Sequence, residues 1–318
     1  MSAALTRAPI QIVQSAWKRI APLELADNSW DNVSVSSFSF LQTRRWAEAE
    51  AKVGVMIEAP FPKKDARKVL LTIDLTIDVC KEALAMPDCS LVVSYHPPIF
   101  SGLKSLTMGN TLQASLLKLA ASGISVFSPH TSLDSIDGGI NTWLASPFSA
   151  NTSSIKPIQP KFTDSASVPS NLCSHSQAGM GRLITFADDK GLELDEVIDK
   201  VKQLLGLKFI QLGRPAPSSP APRRIQSIAI CAGSGASLFK GVNADCYFTG
   251  EMGHHDTLSL TQKGKSVIAC NHTNTERPYL KDVLKDWLNK ELDAEEAENG
   301  KSWQVVVSEM DRDPLEVV

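Results

Sequence analysis

At 318 residues and 43% hydrophobic, the chain can bury a full core and is long enough for two domains. Its 32 basic and 35 acidic residues leave a formal charge of -3, which argues against the basic field that phosphate-backbone binding needs, so no direct nucleic-acid partner is expected. Six cysteines without paired short spacing read as reduced thiols, and no stretch approaches the roughly 18 apolar residues of a membrane span. No membrane association and a cytoplasmic location are therefore expected.

In chain order, the first segment carries Arg7, Lys18 and Arg19 among Ile10, Ile12, Val13, Trp17 and Ile20. It reads as an ordinary first helix packing its apolar stripe, with a mitochondrial transit helix as the alternative. Lys68-Val-Leu-Leu-Thr-Ile73 reads as a buried strand, Asp74 to Ala85 as the following helix, and Cys89-Ser-Leu-Val-Val-Ser94 as the next strand. Gly123-Ile-Ser-Val-Phe-Ser128 is a third apolar run. Such near-continuous strands separated by helices predict an α/β fold, a mixed sheet flanked by helices.

Residues 146–171, rich in Ser, Pro, Thr and Asn, read as a linker or long loop. Gly181 to Phe186, a helix carrying Leu194, Val197, Val201 and Leu205 and ended by Gly206, and Leu207 to Leu212 then suggest a smaller α+β module. A second Pro/Ser loop, 214–224, precedes a strand from Ile225 to Cys231. The run Ser266-Val-Ile-Ala-Cys270 resumes the first style, before a helix on Leu280, Val283, Leu284, Trp287 and Leu288 and a last strand, Gln304 to Ser308. The expected organisation is a discontinuous metal-site domain, 1–148 plus 245–318, with 149–244 as an insertion.

Chemistry gathers just past three of these strands. Ligands in open α/β sheets bind beyond the carboxyl ends of strands, and His96, Asp134, His272 and Glu276 all follow such ends. Imidazole nitrogens with carboxylate oxygens are the ligand mixture of a Zn, Fe or Mn site. Competing local explanations exist for each. Glu276 stands three after Thr273, the spacing of a capping box, while the four-residue step from His272 to Glu276 puts both on one face of a helical turn. Prolines after His96 give a rigid loop, and Asp134 near Gly138-Gly139 would suit a turn. Glu251, His254 and His255 crowd one loop as acid/base candidates. The Gly233-Ser234-Gly235 turn could cradle a phosphate, with a tight turn as the simpler reading, and His175 reads as a solvated loop residue.

Four ordered motifs, Ser94-Tyr-His-Pro-Pro-Ile-Phe100, Pro129-His-Thr-Ser-Leu-Asp134 with Gly138-Gly-Ile-Asn-Thr-Trp-Leu144, Gly250-Glu-Met-Gly-His-His-Asp256 and Asn271-His-Thr-Asn-Thr-Glu-Arg277, resemble those of the NIF-three-like family, also catalogued as GTP cyclohydrolase I type 2. Pro22-Leu-Glu-Leu-Ala26 with Trp30-Asp-Asn-Val33, and Gly179-Met-Gly-Arg-Leu183, are similar to its opening and mid-chain motifs. The resemblance implies two α/β modules, a homo-hexameric ring and one or two divalent metal ions held by His96, Asp134, His272 and Glu276. Tyr95 stands where the family's bacterial pattern has a further histidine, and a phenol must first lose a proton of pKa near 10 to ligate. Metal-dependent hydrolysis is the activity implied, and a metal-binding scaffold acting through protein partners is the alternative. The segment 34–60, with Arg44, Arg45 and Trp46, is longer than the family's usual link.

Overall fold

The computed structural model describes residues 7–27, 31, 53–297 and 300–317, so most of the long 34–60 segment and part of the opening motif lie outside the described residues. In chain order the elements are α1 (Pro9–Ile20), β1 (Gly54–Ile57), β2 (Lys68–Thr72), α2 (Ile77–Ala85), β3 (Cys89–Ser94), α3 (Thr111–Ala121), β4 (Ser125–Ser128), α4 (Thr131–Ser135) and α5 (Ile140–Ala145). Then come β5 (Thr152–Lys156), β6 (Gln159–Pro160), β7 (Gly179–Met180), β8 (Arg182–Phe186), α6 (Leu194–Leu205), β9 (Gln211–Gly213), β10 (Ser227–Ser234), β11 (Cys246–Glu251), α7 (His254–Gln262) and β12 (Ser266–Ala269). The chain closes with α8 (Arg277–Tyr279), a π-helical turn (Leu280–Leu284), α9 (Lys285–Glu295) and β13 (Gln304–Val307).

Two compact units emerge, Met1–Leu133 with Leu280–Asp311, and Asp134–Tyr279 with Arg312–Val318. The first holds a five-stranded sheet in the order β1-β4-β3-β2-β13, parallel except for the β1–β4 pair. All six residues of β3 are buried, as a central parallel strand covered on both faces requires. On one side Val79, Cys80 and Ala83 of α2 and Leu116 and Leu119 of α3 pack with Leu70, Val92 and Val126. The α1 stripe of Ile10, Ile12, Val13, Trp17 and Ile20 is buried, and α1 lies against α9, which is the arrangement of an ordinary first helix. Trp17 stacks 5.3 Å from Phe127, and truncating so large a buried ring costs about 3–5 kcal/mol.

The second unit holds a six-stranded sheet, β5-β8-β10-β11-β12-β9, in which β10, β11 and β12 run parallel to one another and the outer strands are antiparallel. Its helix α6 buries Val197, Val201 and Leu205 and stops at Gly206, whose φ of 65° is the left-handed end expected there. Part of the 146–171 segment is not linker: Thr152–Lys156 forms the edge strand β5, a polar, half-exposed strand whose composition resembles a loop. Of the strand expected over 207–212 only Gln211 and Leu212 pair, in a strand that runs on to Gly213 antiparallel to β12.

The unit boundaries fall elsewhere than 148 and 244. The apolar runs at 246 and 266 share the style of the first sheet, yet they pair with β10, so 245–279 belongs with the residues expected as an insertion. Apolar continuity says that a strand is buried on both faces and does not say which sheet it joins. All six cysteines are free and five are buried, and among the described residues no helix is long and apolar enough to cross a membrane.

Candidate metal centre

In the first unit the candidate side chains leave the carboxyl ends of β3 and β4, adjacent parallel strands. Backbone pairing continues past β3, with Tyr95 N–H donating to Thr72 O at 2.9 Å and His96 N–H to Ile73 O at 3.0 Å, so His96 is positioned by sheet register as well as by its prolines. Its Nδ1 lies 3.0 Å from Asp74 Oδ1. Beyond β4, His130 takes a φ of 40°, unusual for a residue with a side chain, and its Nδ1 lies 2.7 Å from Oδ1 of Asp31. Asp31 is fully buried, and its Oδ2 also accepts from Thr131 N at 3.1 Å and Thr131 Oγ1 at 2.5 Å. Because a carboxylate only accepts, this pairing puts the proton of a neutral His130 ring on Nδ1 and leaves the lone pair on Nε2.

Tyr95 is buried beside both rings, its centroid 4.9 Å from His96 and 5.6 Å from His130. Asp31, Asp74 and His130 were not singled out by sequence reasoning. The available signal was the general habit of ligating histidines to lean on carboxylates, but Asp31 is 99 residues from His130 and nothing local links them.

In the second unit Gly233 lies near the end of β10, Glu251 ends β11 and His272 follows β12, three neighbouring parallel strands. His272 Nδ1 lies 3.0 Å from Glu251 Oε2, and Nε2 lies 3.5 Å from Glu276 Oε1, one helical turn on. Glu251 is more than half exposed, whereas Glu276 is 2% exposed and Asp134, in α4, is 6% exposed. Both buried carboxylates bear on the interior: burial raises the Cys231 thiol well above its usual pKa, and the charges of Asp134 and Glu276 push it further. Tyr279 is raised in the same direction by burial and by Asp134. Burial lowers the pKa of Arg182, and the charges of Asp137, 3.9 Å away, and Asp134 oppose that shift.

The glycine turn is explained by packing. Gly233 has a φ of 59°, its N–H donates to Thr275 Oγ1 at 2.9 Å, and a Cβ there would lie 2.7 Å from Glu276 Oε1 and 2.8 Å from His272 Nε2. A Cβ on Gly250 would sit 2.7 Å from His272 O. Bare backbone is needed so that the two side chains can close on it.

The capping-box explanation of Thr273 and Glu276 does not hold. Thr273 Oγ1 and N both donate to Asp313 Oδ2, at 2.7 and 3.3 Å, while the Glu276 carboxylate turns toward His272. Asp134 lies within a helix rather than a turn, and Asn141 Nδ2 donates to its carbonyl at 3.1 Å. His254 and His255 open α7 as exposed side chains with rings 5.2 Å apart. His175 is not solvated: it is 4% exposed in a 3₁₀ turn, where burial lowers its pKa. In the second unit His272 and Glu276 offer a nitrogen and a carboxylate oxygen 3.5 Å apart, the donor types of a metal site, and in the first unit His96 offers an imidazole.

The family model described as "Duf34/NIF3 (NGG1p interacting factor 3)" matches residues 35–314. A "Protein NIF3 homolog" of Schizosaccharomyces pombe is 41% identical over 269 residues, covering 85% of this chain and 91% of that protein. An "NGG1-interacting factor 3" of Saccharomyces cerevisiae is 35% identical over 321 residues, covering both chains completely. In fold, the crystal structure of a Bacillus cereus protein related to NIF3 aligns with a TM-score of 0.70 at 16% identity, covering 99% of this chain and all of that one.

Proposed function

For a chain that belongs to the Duf34/NIF3 family, we propose divalent-metal binding through His96, Asp134, His272 and Glu276, with metal-dependent hydrolysis as the activity. The observation that carries the metal is the geometry of the second unit, where Oε1 of the buried Glu276 lies 3.5 Å from His272 Nε2 while Glu251 Oε2 lies 3.0 Å from the other ring nitrogen. Buried anions are retained where cations meet them, and a ligand histidine braced by a carboxylate through its other nitrogen is the usual arrangement at Zn, Fe or Mn. The His272 and Glu276 donors fit such an ion, and Gly233 keeps the space beside them free of a side chain.

A bound divalent ion supplies Lewis acidity, which draws a water's pKa toward neutrality and polarises a carbonyl or phosphoryl oxygen. The chain's own residues do the rest. Glu251 and Asp74 fix the rings of His272 and His96, and fixed rings need no reorganisation when substrate arrives. His254 and His255, exposed at the start of α7, take the part of proton shuttle. One ion per chain is the smallest reading; a second would use Tyr95.

Elemental analysis of protein as purified, compared with His272→Ala and His96→Ala, tests the metal. Loss of ion with retained fold is expected, and full occupancy in both variants overturns the reading. A screen of metal-loaded protein against nucleotides, phosphoesters and cyclic amides tests the activity, turnover lost in His272→Ala being the expected result. A non-catalytic interaction protein is the second reading, favoured by the yeast relative's name and by the exposed apolar side chains of Phe100, Leu103, Leu106 and Met108 in one connecting segment. Family likeness also supports assembly as a hexamer, for which light scattering should give six chains and a strictly monomeric mass would sink the idea.

A further inference from the structure

The turn that carries His272 and Glu276 is held from two sides. Behind it, Gly233 N–H donates to Thr275 Oγ1, and Thr275 Oγ1 donates in turn to His272 O at 2.8 Å. At its base, the grip comes from a segment far along the chain. Asp313 Oδ2 accepts from both the N–H and the hydroxyl of Thr273, and Asp313 Oδ1 accepts from Leu315 N–H at 2.9 Å. Arg277 Nη2 donates to Thr273 Oγ1 at 2.8 Å, so the threonine hydroxyl links the carboxylate to a residue on the far side of Glu276.

Next to His272, Asn271 holds a left-handed φ of 65°. Its amide nitrogen reaches Leu315 O at 3.5 Å and its amide oxygen accepts from Gln211 Nε2 at 3.3 Å. Thr273 is 4% exposed, so its N–H has little access to water. Segment 312–317 thus contacts the residues on both sides of His272 without supplying a ligand.

We propose that segment 312–317 is a strap that sets metal affinity, with Asp313 as a positioning residue that fixes the turn from His272 to Glu276. The strap rests on the metal reading given above. It acts by pre-organisation: with Thr273 pinned, His272 and Glu276 stand one turn apart before an ion arrives, and the cost of ordering them is not taken from binding. Loss of a carboxylate that orients ligands typically weakens metal binding roughly ten- to a hundred-fold. Because the strap lies at the surface, with Leu315 67% exposed, anything that draws it away would loosen the ion without touching a ligand.

The test is a Zn²⁺ titration of the full-length, chelator-stripped protein against a competing dye, well below the melting temperature. Asp313→Ala should weaken Zn²⁺ about ten- to a hundred-fold, Thr273→Val should weaken it less, and Asp313→Asn, which keeps an acceptor oxygen, should fall between Asp313→Ala and the parent. Glu316→Ala, a charge change on the same strap, should leave it unchanged. If Asp313→Ala does not fold, Asp313→Asn and Thr273→Val carry the comparison. Parental Zn²⁺ affinity in the Asp313 and Thr273 variants while His272→Ala abolishes binding overturns the strap alone, and so does a lowered melting temperature with unchanged affinity. Unchanged binding in His272→Ala as well would overturn the metal reading itself.

Discussion

In the first unit a buried carboxylate is consumed by the scaffold, whereas in the second unit a buried carboxylate faces a histidine one helical turn away. Asp31 is surrounded by donors, His130 Nδ1, Thr131 N and Thr131 Oγ1, and it ties residue 31 to the start of α4. Glu276 and Asp134 are as deeply placed, and Glu276 Oε1 lies 3.5 Å from Nε2 of His272. Burial of an acid therefore does not identify a ligand; what surrounds its oxygens does. Each unit also has a carboxylate bracing a histidine, the half-buried Asp74 on His96 and the exposed Glu251 on His272.

The comparison breaks most sharply under neutral isosteres. Glu276→Gln should lower metal affinity by more than about a hundred-fold, beyond the range of outer-shell partners. The same change should lower the metal-free melting temperature only slightly, because the amide keeps the oxygen that faces His272. Asp31→Asn should do the reverse: about 2–3 kcal/mol of stability lost with its charge-assisted hydrogen bonds, and full metal stoichiometry at low temperature. Calorimetry with elemental analysis on both variants decides it, and equal behaviour of the two would erase the distinction.

Gly233→Ala sharpens the second unit's side of the contrast. A methyl group 2.7 Å from Glu276 Oε1, on a backbone at φ 59°, should cost roughly 1–3 kcal/mol and displace the ligands, so metal is lost with stability. Gly241→Ala is the control, since its φ is 80° but nothing lies within 4 Å of the added carbon. It should cost about 1 kcal/mol by backbone strain and leave metal content alone. Equal metal loss in both would mean that strain, not contact, disturbs the site.

How far these features were legible follows from their range along the chain. β3 was readable to the residue because six consecutive apolar or small residues bounded by polar ones have few other uses. The strand ends that carry His96, Asp134 and His272 were readable for the same reason. β5 was not, because an edge strand with a polar face has the composition of a loop. The partners that organise the sites, Asp31 for His130 and Asp313 for Thr273, lie 99 and 40 residues away, and tertiary hydrogen bonds leave no periodic trace. The capping-box alternative for Thr273 fails for this cause: the local pattern is present, and a distant carboxylate takes the donors. Gly233 was visible as a turn, but its reason, the close approach of two side chains, exists only in three dimensions.

The smallest expected effect separates His175 from the other histidines. It is buried in the second unit, and desolvation lowers its pKa below the usual 6.5, opposed by the charge of Asp137. A native imidazole that resists protonation binds fewer protons than the unfolded one once pH falls below about 6.5. Stability from this group is therefore complete above that pH and is lost as pH falls through the window between the unfolded value and the lower native one. Thermal melts of the metal-free protein between pH 7.5 and about pH 5 should show a decline that His175→Phe flattens, since a ring without a titrating nitrogen has no such linkage. Metal content at pH 7.5 should be the same in both, because His175 serves packing in its unit, whereas His272→Ala at that pH should lose the ion. A decline of unchanged slope in His175→Phe would assign the acid sensitivity to other groups.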